Sequence, residues 1–451
     1  MNTLYLPELR EMLAKDDASG LQEFCAALHP ARTAEFMEGL SAEQSWSVLQ
    51  KADRQTRADI FRYLEPEIQD EIVETSDPAE LSQLITDMPH DDRVDLLNRA
   101  DPRVVETMLP LIPGEERRDI LRLQAYPEGT AGSVMTTEVA RLPEVFTVRQ
   151  ALDEIGRQSQ DLETIYYVYI VDDENRLRGL VSARQLVTHL GKPETLIADV
   201  MDRDLVTVEA TDDQEAVAEK VADFDFLAIP VIDQERHLVG IITHDDVIDV
   251  LQEEATEDAY LAGAIEPLTE SYLATPWFRL TRLRAGWLAV LFVAGLITAV
   301  ALKAYDQTLS SIALLAWFVP LVISSGGNSG SQSATLIIRA LTIKEISPAD
   351  WWKVLKRELV VGAALGAILG GCGLLASYAL TDSTGFALAL SITIFLVVIC
   401  GTLLGSLLPL LFEKLGLDPA LMSTPFVAGI IDIIGIVLYM QVALWLLGDL
   451  F

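Results

Sequence analysis

Five apolar runs, at about 286–302, 311–338, 359–380, 386–411 and 420–447, constrain this sequence more than any other feature. Each is close to the ~20 residues that an α-helix needs to cross a ~30 Å hydrocarbon core. Backbone in lipid must satisfy its own hydrogen bonds, so the runs read as five transmembrane helices. An odd number of spans places the two ends of the chain on opposite sides. Basic residues say which. Arg279, Arg282 and Arg284 precede the first run, Arg339, Lys344, Lys353, Lys356 and Arg357 lie between the second and third, and Lys414 lies between the fourth and fifth. The opposite side offers only Lys303. The expected topology is therefore a plasma (inner) membrane protein with a cytoplasmic N-terminus and Phe451 outside.

Charge divides the chain in the same place. Residues 1–276 hold 23 Lys/Arg against 58 Asp/Glu, a net of −35, whereas residues 277–451 hold 10 against 9. Such a field opposes nucleic-acid binding and resists compaction unless cations neutralise it. The three cysteines lack metal-ligand spacing, and MNTLYLPELREMLAK has no signal-peptide layout.

Residues 1–128 read as short amphipathic helices, such as LQEFCAAL, RADIFRYL and ELSQLITDM, separated by polar or proline-containing breaks. Their serial repetition predicts a small helical solenoid. Residues 129–250 contain a repeat. VYIVDDENRLRGLVSARQL answers AIPVIDQERHLVGIITHDDV, with Gly179 matching Gly240, and MTTEVARLPEVFTVRQALDEI answers MDRDLVTVEATDDQEAVAEKV. Two strands around a turn, followed by a helix, occur twice in order. This pattern resembles a tandem pair of CBS domains, α/β regulatory modules found in channels and enzymes.

Between His237 and Phe278 there is no Lys or Arg, while Asp245, Asp246, Asp249, Glu253, Glu254, Glu257, Asp258, Glu266 and Glu270 crowd the segment. Asp249, Glu253 and Glu257 would stack on one helix face at a cost of roughly 0.2–0.5 kcal/mol per like-charged pair. The pattern fits cation binding better than a solvated connector, which usually interleaves basic residues.

Two runs carry unusual chemistry. The second reads WFVPLVISSGGNSGSQSATLIIRAL; Pro320, Gly326, Gly327, Gly330, Asn328 and Gln332 are expected to break or loosen the helix and free carbonyls for a pore. The competing reading is close helix packing through small residues. The fifth reads LMSTPFVAGIIDIIGIVLYM, where Asp432 is the acid deep in a span. A carboxylate there marks a transport path by default, against a protonated Asp at a helix contact. Pro425 is expected to release carbonyls near Ser423, Thr424 and Phe426. All five histidines precede the spans, so the ligands are oxygen, which suits a hard cation. Magnesium is usually held by one or two carboxylates through retained water.

At these motifs the chain closely resembles the MgtE family of bacterial magnesium channels, over essentially its whole length. The resemblance implies a homodimer in the lipid bilayer with the pore between subunits, and no enzyme activity. It makes Asp432 the pore aspartate, with Asp418 near the acidic plug helix at 251–276, ahead of a pore domain at 277–451. It places regulatory Mg2+ on Asp91, Asp95, Glu215, Asp225, Asp246, Asp249, Glu254, Glu257 and Asp258. Gln185 stands where nucleotide-binding CBS repeats carry an Asp, which argues against ATP at Arg184 and Gln185. The expected function is magnesium uptake through a channel closed by cytoplasmic magnesium. The runner-up is a proton- or sodium-coupled exchanger.

Overall fold

The computed structural model describes residues 4–159, 162–268, 272–273, 275–422 and 424–447. Ser423 and Glu270, both singled out above, lie outside the described residues. The chain forms two compact units, Met1–Glu254 and Ala255–Phe451.

The first unit opens with ten short helices, α1 to α10, between Leu6 and Leu123. Their boundaries are written locally. Pro30, Pro66, Pro78 and Pro102 each occupy the first turn of a helix, where a missing N–H costs nothing. Asp53, Asp77 and Asp101 cap helices by accepting from Thr56 N, Ala79 N and Arg103 N. Alternate helices pack on one another, third on fifth, fifth on seventh and seventh on ninth. Leu49, Ile60, Phe61, Ile72, Leu81, Ile85 and Met108 fill the shared core. Two of these helices matter below, α8 (His90–Arg99) and α10 (Gly114–Leu123).

Next come two three-stranded sheets. The first contains β1 (Val139–Pro143), α11 (Val148–Gln158), β2 (Thr164–Val171), β3 (Leu177–Ser182) and α12 (Ala183–Thr188). The second contains β4 (Val208–Glu209), α13 (Gln214–Asp223), β5 (Ala228–Ile232), β6 (Leu238–Thr243) and α14 (His244–Ala262). In each, the first strand is parallel to the second and the second antiparallel to the third. The repeats exchange their leading segments: Thr136 bridges Ile241 of β6, and Asp202 bridges Leu180 of β3. The repeated glycines make this possible. A Cβ on Gly240 would lie 2.7 Å from Thr136 O, and one on Gly179 would lie 2.9 Å from Asp202 O. The helix α14 continues without interruption past residue 250, where the sequence suggested a boundary.

The second unit holds α15 (Trp277–Ala304), the short α16 (Asp306–Ser311), α17 (Leu314–Thr342), α18 (Trp351–Thr381), α19 (Thr384–Lys414) and α20 (Thr424–Leu447). Among the described residues, four helical segments have the length and apolarity to cross a membrane: α15, Pro348–Thr381, α19 and α20. The 29-residue α17 is kept out of that set by its polar middle.

Two expectations about these helices are corrected. The helix α17 is not broken: it runs continuously through Pro320, Gly326, Gly327 and Gly330. Its glycines serve close packing instead. A Cβ on Gly401 of α19 would lie 2.6 Å from Gly326 O, and one on Gly405 would lie 2.1 Å from Gly330 O. Interior glycine costs ~1 kcal/mol relative to alanine, and the close approach of two helices offsets that. Nor does Pro425 free a carbonyl by interrupting a helix. It stands in the first turn of α20, where proline takes nothing from the ladder. The helix α18 uses the same device, with Gly362, Gly366 and Gly370 set against Thr402, Phe395 and Ser391 of α19.

Candidate functional site

In the first unit, like charges are brought together. The helices α8 and α14 both open on His-Asp-Asp, at His90-Asp91-Asp92 and His244-Asp245-Asp246, with Asp95 and Asp249 one turn further on. Helix N-termini tolerate acids because the peptide dipoles point positive there. Asp91 and Asp246 come close enough for their carboxyls to hydrogen-bond each other. Asp246 also accepts from Thr243 N at 3.2 Å and Thr243 Oγ1 at 2.6 Å. Glu163, just before β2, joins them.

The electrostatics of this cluster are unfavourable as they stand. Burial, then the charges of Asp246, Asp92 and Glu163, hold Asp91 well above the usual carboxylate range. Its Oδ1 is fully shielded and has no hydrogen-bond partner. Asp246 is raised by burial and Asp245. Asp92 is raised by burial although Arg62 lies 3.2 Å away. Glu163 is pushed up to about 7, by burial first and then by Glu138 and Asp246. Asp95 keeps much of its surface in solvent, yet burial of its carboxyl and the Asp92 charge push it up to about 6. An orphaned carboxylate oxygen among crowded acids is the donor set a hard divalent cation takes.

The sequence reading missed Asp92 and Glu163 in this cluster, whereas Asp245 and Glu253 belong to the acidic segment it read as cation-binding, and it missed His90. That imidazole is held with Nδ1 2.6 Å from Asp119 Oδ2 and Nε2 3.0 Å from Glu138 Oε1. Burial lowers its pKa, but the hydrogen bonds to Asp119 and Glu138 outweigh that and lift it to about 9. Asp119 falls to about 2. An imidazolium therefore joins α8 and α10 to the segment leading into β1. The remaining expected ligands are dispersed. Asp249 is exposed on α14 and acts on Asp92. Glu254 accepts from Gln214 Nε2 at 2.8 Å, next to Glu215 in the first turn of α13. Asp225 is exposed beyond the other end of α13, in the left-handed region at φ 53°.

In the second unit, Asp432 lies on α20, half-buried, and its Oδ1 would be 3.6 Å from a Cβ on Gly327 of α17. The missing side chain at Gly327 thus leaves the carboxylate open toward α17. That helix has two faces. Gly326, Ser329, Gly330 and Ser333 are buried against neighbours, while Ser324, Asn328 and Gln332 are exposed in this chain. Asn328 Nδ2 donates to Ser324 Oγ at 3.2 Å. Ser331 Oγ donates to Thr424 O at 3.3 Å, and Thr424 Oγ1 donates to Ala262 O at 3.2 Å, so the end of α14 meets the start of α20. Glu257 and Asp258 lie in that last part of α14. Asp418 is exposed and caps a short turn through Ala420 N at 2.7 Å. One acid escaped the sequence reading: Glu358 of α18 accepts from Ser333 Oγ at 2.7 Å.

A cavity of about 420 Å³ lies between the two sheets, lined by Tyr167, Gln185, Asp202, Asp204, Phe226 and Pro230 among others. Gln185 Oε1 already accepts from Ser182 N at 2.7 Å and Ser182 Oγ at 2.9 Å. Its amide therefore turns a donor, not an acceptor, to any ribose hydroxyl. Arg184 is exposed and does not line the cavity.

Comparison with known proteins covers both units. A family model described as a divalent cation transporter, MgtE, matches residues 319–442. The model of the MgtE intracellular N domain matches 28–129, and the CBS domain model matches 131–192 and 197–253. The magnesium transporter MgtE of Thermus thermophilus is 36% identical over 443 residues, 97% of this chain and 98% of that protein. That of Enterococcus faecalis is 35% identical over 73% of this chain and 72% of its own. Among solved structures, the soluble part of a magnesium transporter aligns with TM-score 0.52 at 36% identity, covering 55% of this chain and 97% of that one. The cytosolic domain of the Mg2+ channel MgtE in complex with ATP aligns with TM-score 0.51 at 35% identity, covering 54% and 98%.

Proposed function

Because this chain belongs to the MgtE family of magnesium transporters, we propose that it is a magnesium-selective channel closed by cytoplasmic magnesium. It is a multi-pass membrane protein and, like its relatives, not an enzyme. The observation that carries the channel reading is the open approach of Asp432 to Gly327 on the polar helix α17. One carboxylate per chain, doubled by a homodimer's two-fold axis, suits a magnesium ion that keeps its water. Asn328, Gln332 and Thr424 complete a polar path, and the five long helices form the pore domain with the C-terminus outside.

The cytoplasmic half is the sensor in this reading. Residues 1–128 form a helical solenoid, 129–250 the CBS pair and 251–276 the plug. Magnesium at Asp91, Asp246 and their neighbours would relieve the like-charge crowding, which a compact state has and an open one lacks. A ligand shifts a conformational equilibrium only through such a difference in affinity. Asp246 and Ala262 belong to one helix, and Ala262 meets Thr424 at the start of α20, which gives the sensor a mechanical route to the path. ATP in the cavity at Gln185 is disfavoured by the amide's orientation, although a relative's cytosolic domain binds it.

The decisive experiment is magnesium flux into liposomes with the protein or its Asp432→Ala variant, at low magnesium on the cytoplasmic side. Flux in the first and none in the second is expected. Flux that requires a proton or sodium gradient would replace the channel with a coupled exchanger.

A further inference from the structure

Besides the acid cluster and the cavity at Gln185, the first unit has a larger cavity of about 1160 Å³ between the N-terminal helices and the first sheet. Its wall includes both acids and arginines, and their pairing is uneven. Glu116 is matched by Arg93 at 2.7 Å. Asp119 is matched by His90 at 2.6 Å and by Arg122 at 2.7 Å, and Glu138 by His90 at 3.0 Å. Arg141, on the edge strand β1, has no ion-pair partner among the described residues. Its Nε is fully shielded and makes no hydrogen bond. Burial and then the Arg122 charge push its pKa down, and the Asp119 charge offsets them only in part. Arg118, one turn before Arg122 on α10, makes one hydrogen bond, from Nε to Gly114 O at 3.0 Å.

A guanidinium whose Nε–H is removed from water without an acceptor is destabilising, because that donor loses its partner while the charge is partly desolvated. The sequence has no structural reason to bury one on a cavity wall beside a second arginine, unless an anion joins them. Arginine forks match phosphate oxygens two at a time. We propose that this cavity binds a soluble oligophosphate through Arg141, Arg118 and Arg122. The cavity is somewhat larger than the ~300–1,000 Å³ typical of small-molecule sites, so a phosphate chain with an organic group fits. The site is separate from the ion path and does not rest on the transport reading.

The test is isothermal titration of the full-length protein in detergent with inorganic pyrophosphate, in magnesium-free buffer. Pyrophosphate has no base or sugar for the cavity at Gln185, and a chain of net charge −34 repels anions elsewhere. One saturable site per chain is expected. Arg141→Gln and Arg118→Gln should each weaken it by about tenfold or more, with Arg141→Lys between them and the parent. Arg149→Gln, whose partner is Glu194 outside the cavity, should leave it unchanged. Absence of saturable binding in the parent protein overturns the proposal, as does equal affinity in Arg118→Gln and the parent. The Arg118 variant decides the matter even if Arg141→Gln fails to fold, because Arg118 is exposed.

Discussion

Replacing Glu163 by glutamine should stabilise the magnesium-free protein, which is the reverse of what loss of a half-buried hydrogen-bonding group normally does. In the folded chain Glu163 is raised from 4.5 to about 7, with burial the main cause and Glu138, Asp246 and Asp245 adding repulsion. The folded value lies above the unfolded one, so the folded state holds the proton more tightly. The cost is therefore full above pH 7 and fades as pH falls toward 4.5. At ~1.36 kcal/mol per pH unit the rise is equivalent to about 3 kcal/mol at most. Residual solvent screening and the desolvation of the new amide reduce the expected gain to about 1–2 kcal/mol. For a unit of this size that is about 3–6 °C in the midpoint of thermal unfolding. The assay is thermal unfolding of the full chain in detergent with a chelator, at about pH 8 and again near pH 5, where the carboxyl is protonated. The gain should appear at the higher pH, fall to about a quarter of that at the lower one, and shrink on adding magnesium, which on the proposed reading relieves the same repulsion. No gain at high pH, or an equal gain at both, would refute the view that this cluster is under electrostatic load.

His90 gives the opposite pH dependence. Its pKa is raised to about 9, so its contribution of about 3 kcal/mol is complete below pH 6.5 and lost as pH rises through 9. His90→Ala should abolish that alkaline slope in denaturant unfolding; an unchanged slope would assign it elsewhere. Gly405→Leu should eliminate flux, because its Cβ alone would lie 2.1 Å from Gly330 O, whereas Gly371→Leu, with nothing within 4 Å, should be tolerated. Glu358→Gln should leave folding intact and slow flux if the Ser333 hydrogen bond fixes α17, which liposome uptake would read.

How much was legible follows from the range of each signal. Helix starts, the CBS repeat and four of the five expected spans are written in residues close in sequence, and these were readable. Asp91, Asp95 and Asp246 were named from resemblance, and the structure brings them together. Asp92 and Glu163 were not named, although the two His-Asp-Asp helix starts, whose middle acids stand four residues ahead of Asp95 and Asp249, are visible once compared. Glu163 carries no local signal; only the fold brings it to them. The glycines of α17 misled because glycine has the same local meaning in a broken helix and in a close crossing. What distinguishes them is the partner, Gly401 and Gly405, some 70 residues away, and no periodicity within α17 encodes that.

On the proposed reading, the two sets of carboxylates also explain how one ion could be both sensed and passed. Conduction requires a site weak enough to release what it binds, and Asp432 is a single carboxylate on its helix, facing a glycine. Sensing requires an affinity that depends on conformation. At Asp91 and Asp246 the carboxyls are close enough to share a hydrogen bond, and Asp91 Oδ1 has no partner, so their repulsion exists only while α8 and α14 are together. Magnesium binding proposed there would be coupled to the approach of two helices, whereas binding at Asp432 need move nothing. A chain that placed several acids around Asp432 would hold the ion too long to conduct. One that placed a single acid at α8 would bind magnesium equally well open or closed, and so could not respond to it. On the proposed reading, the excess negative charge of the first 276 residues is therefore a requirement of regulation rather than of transport.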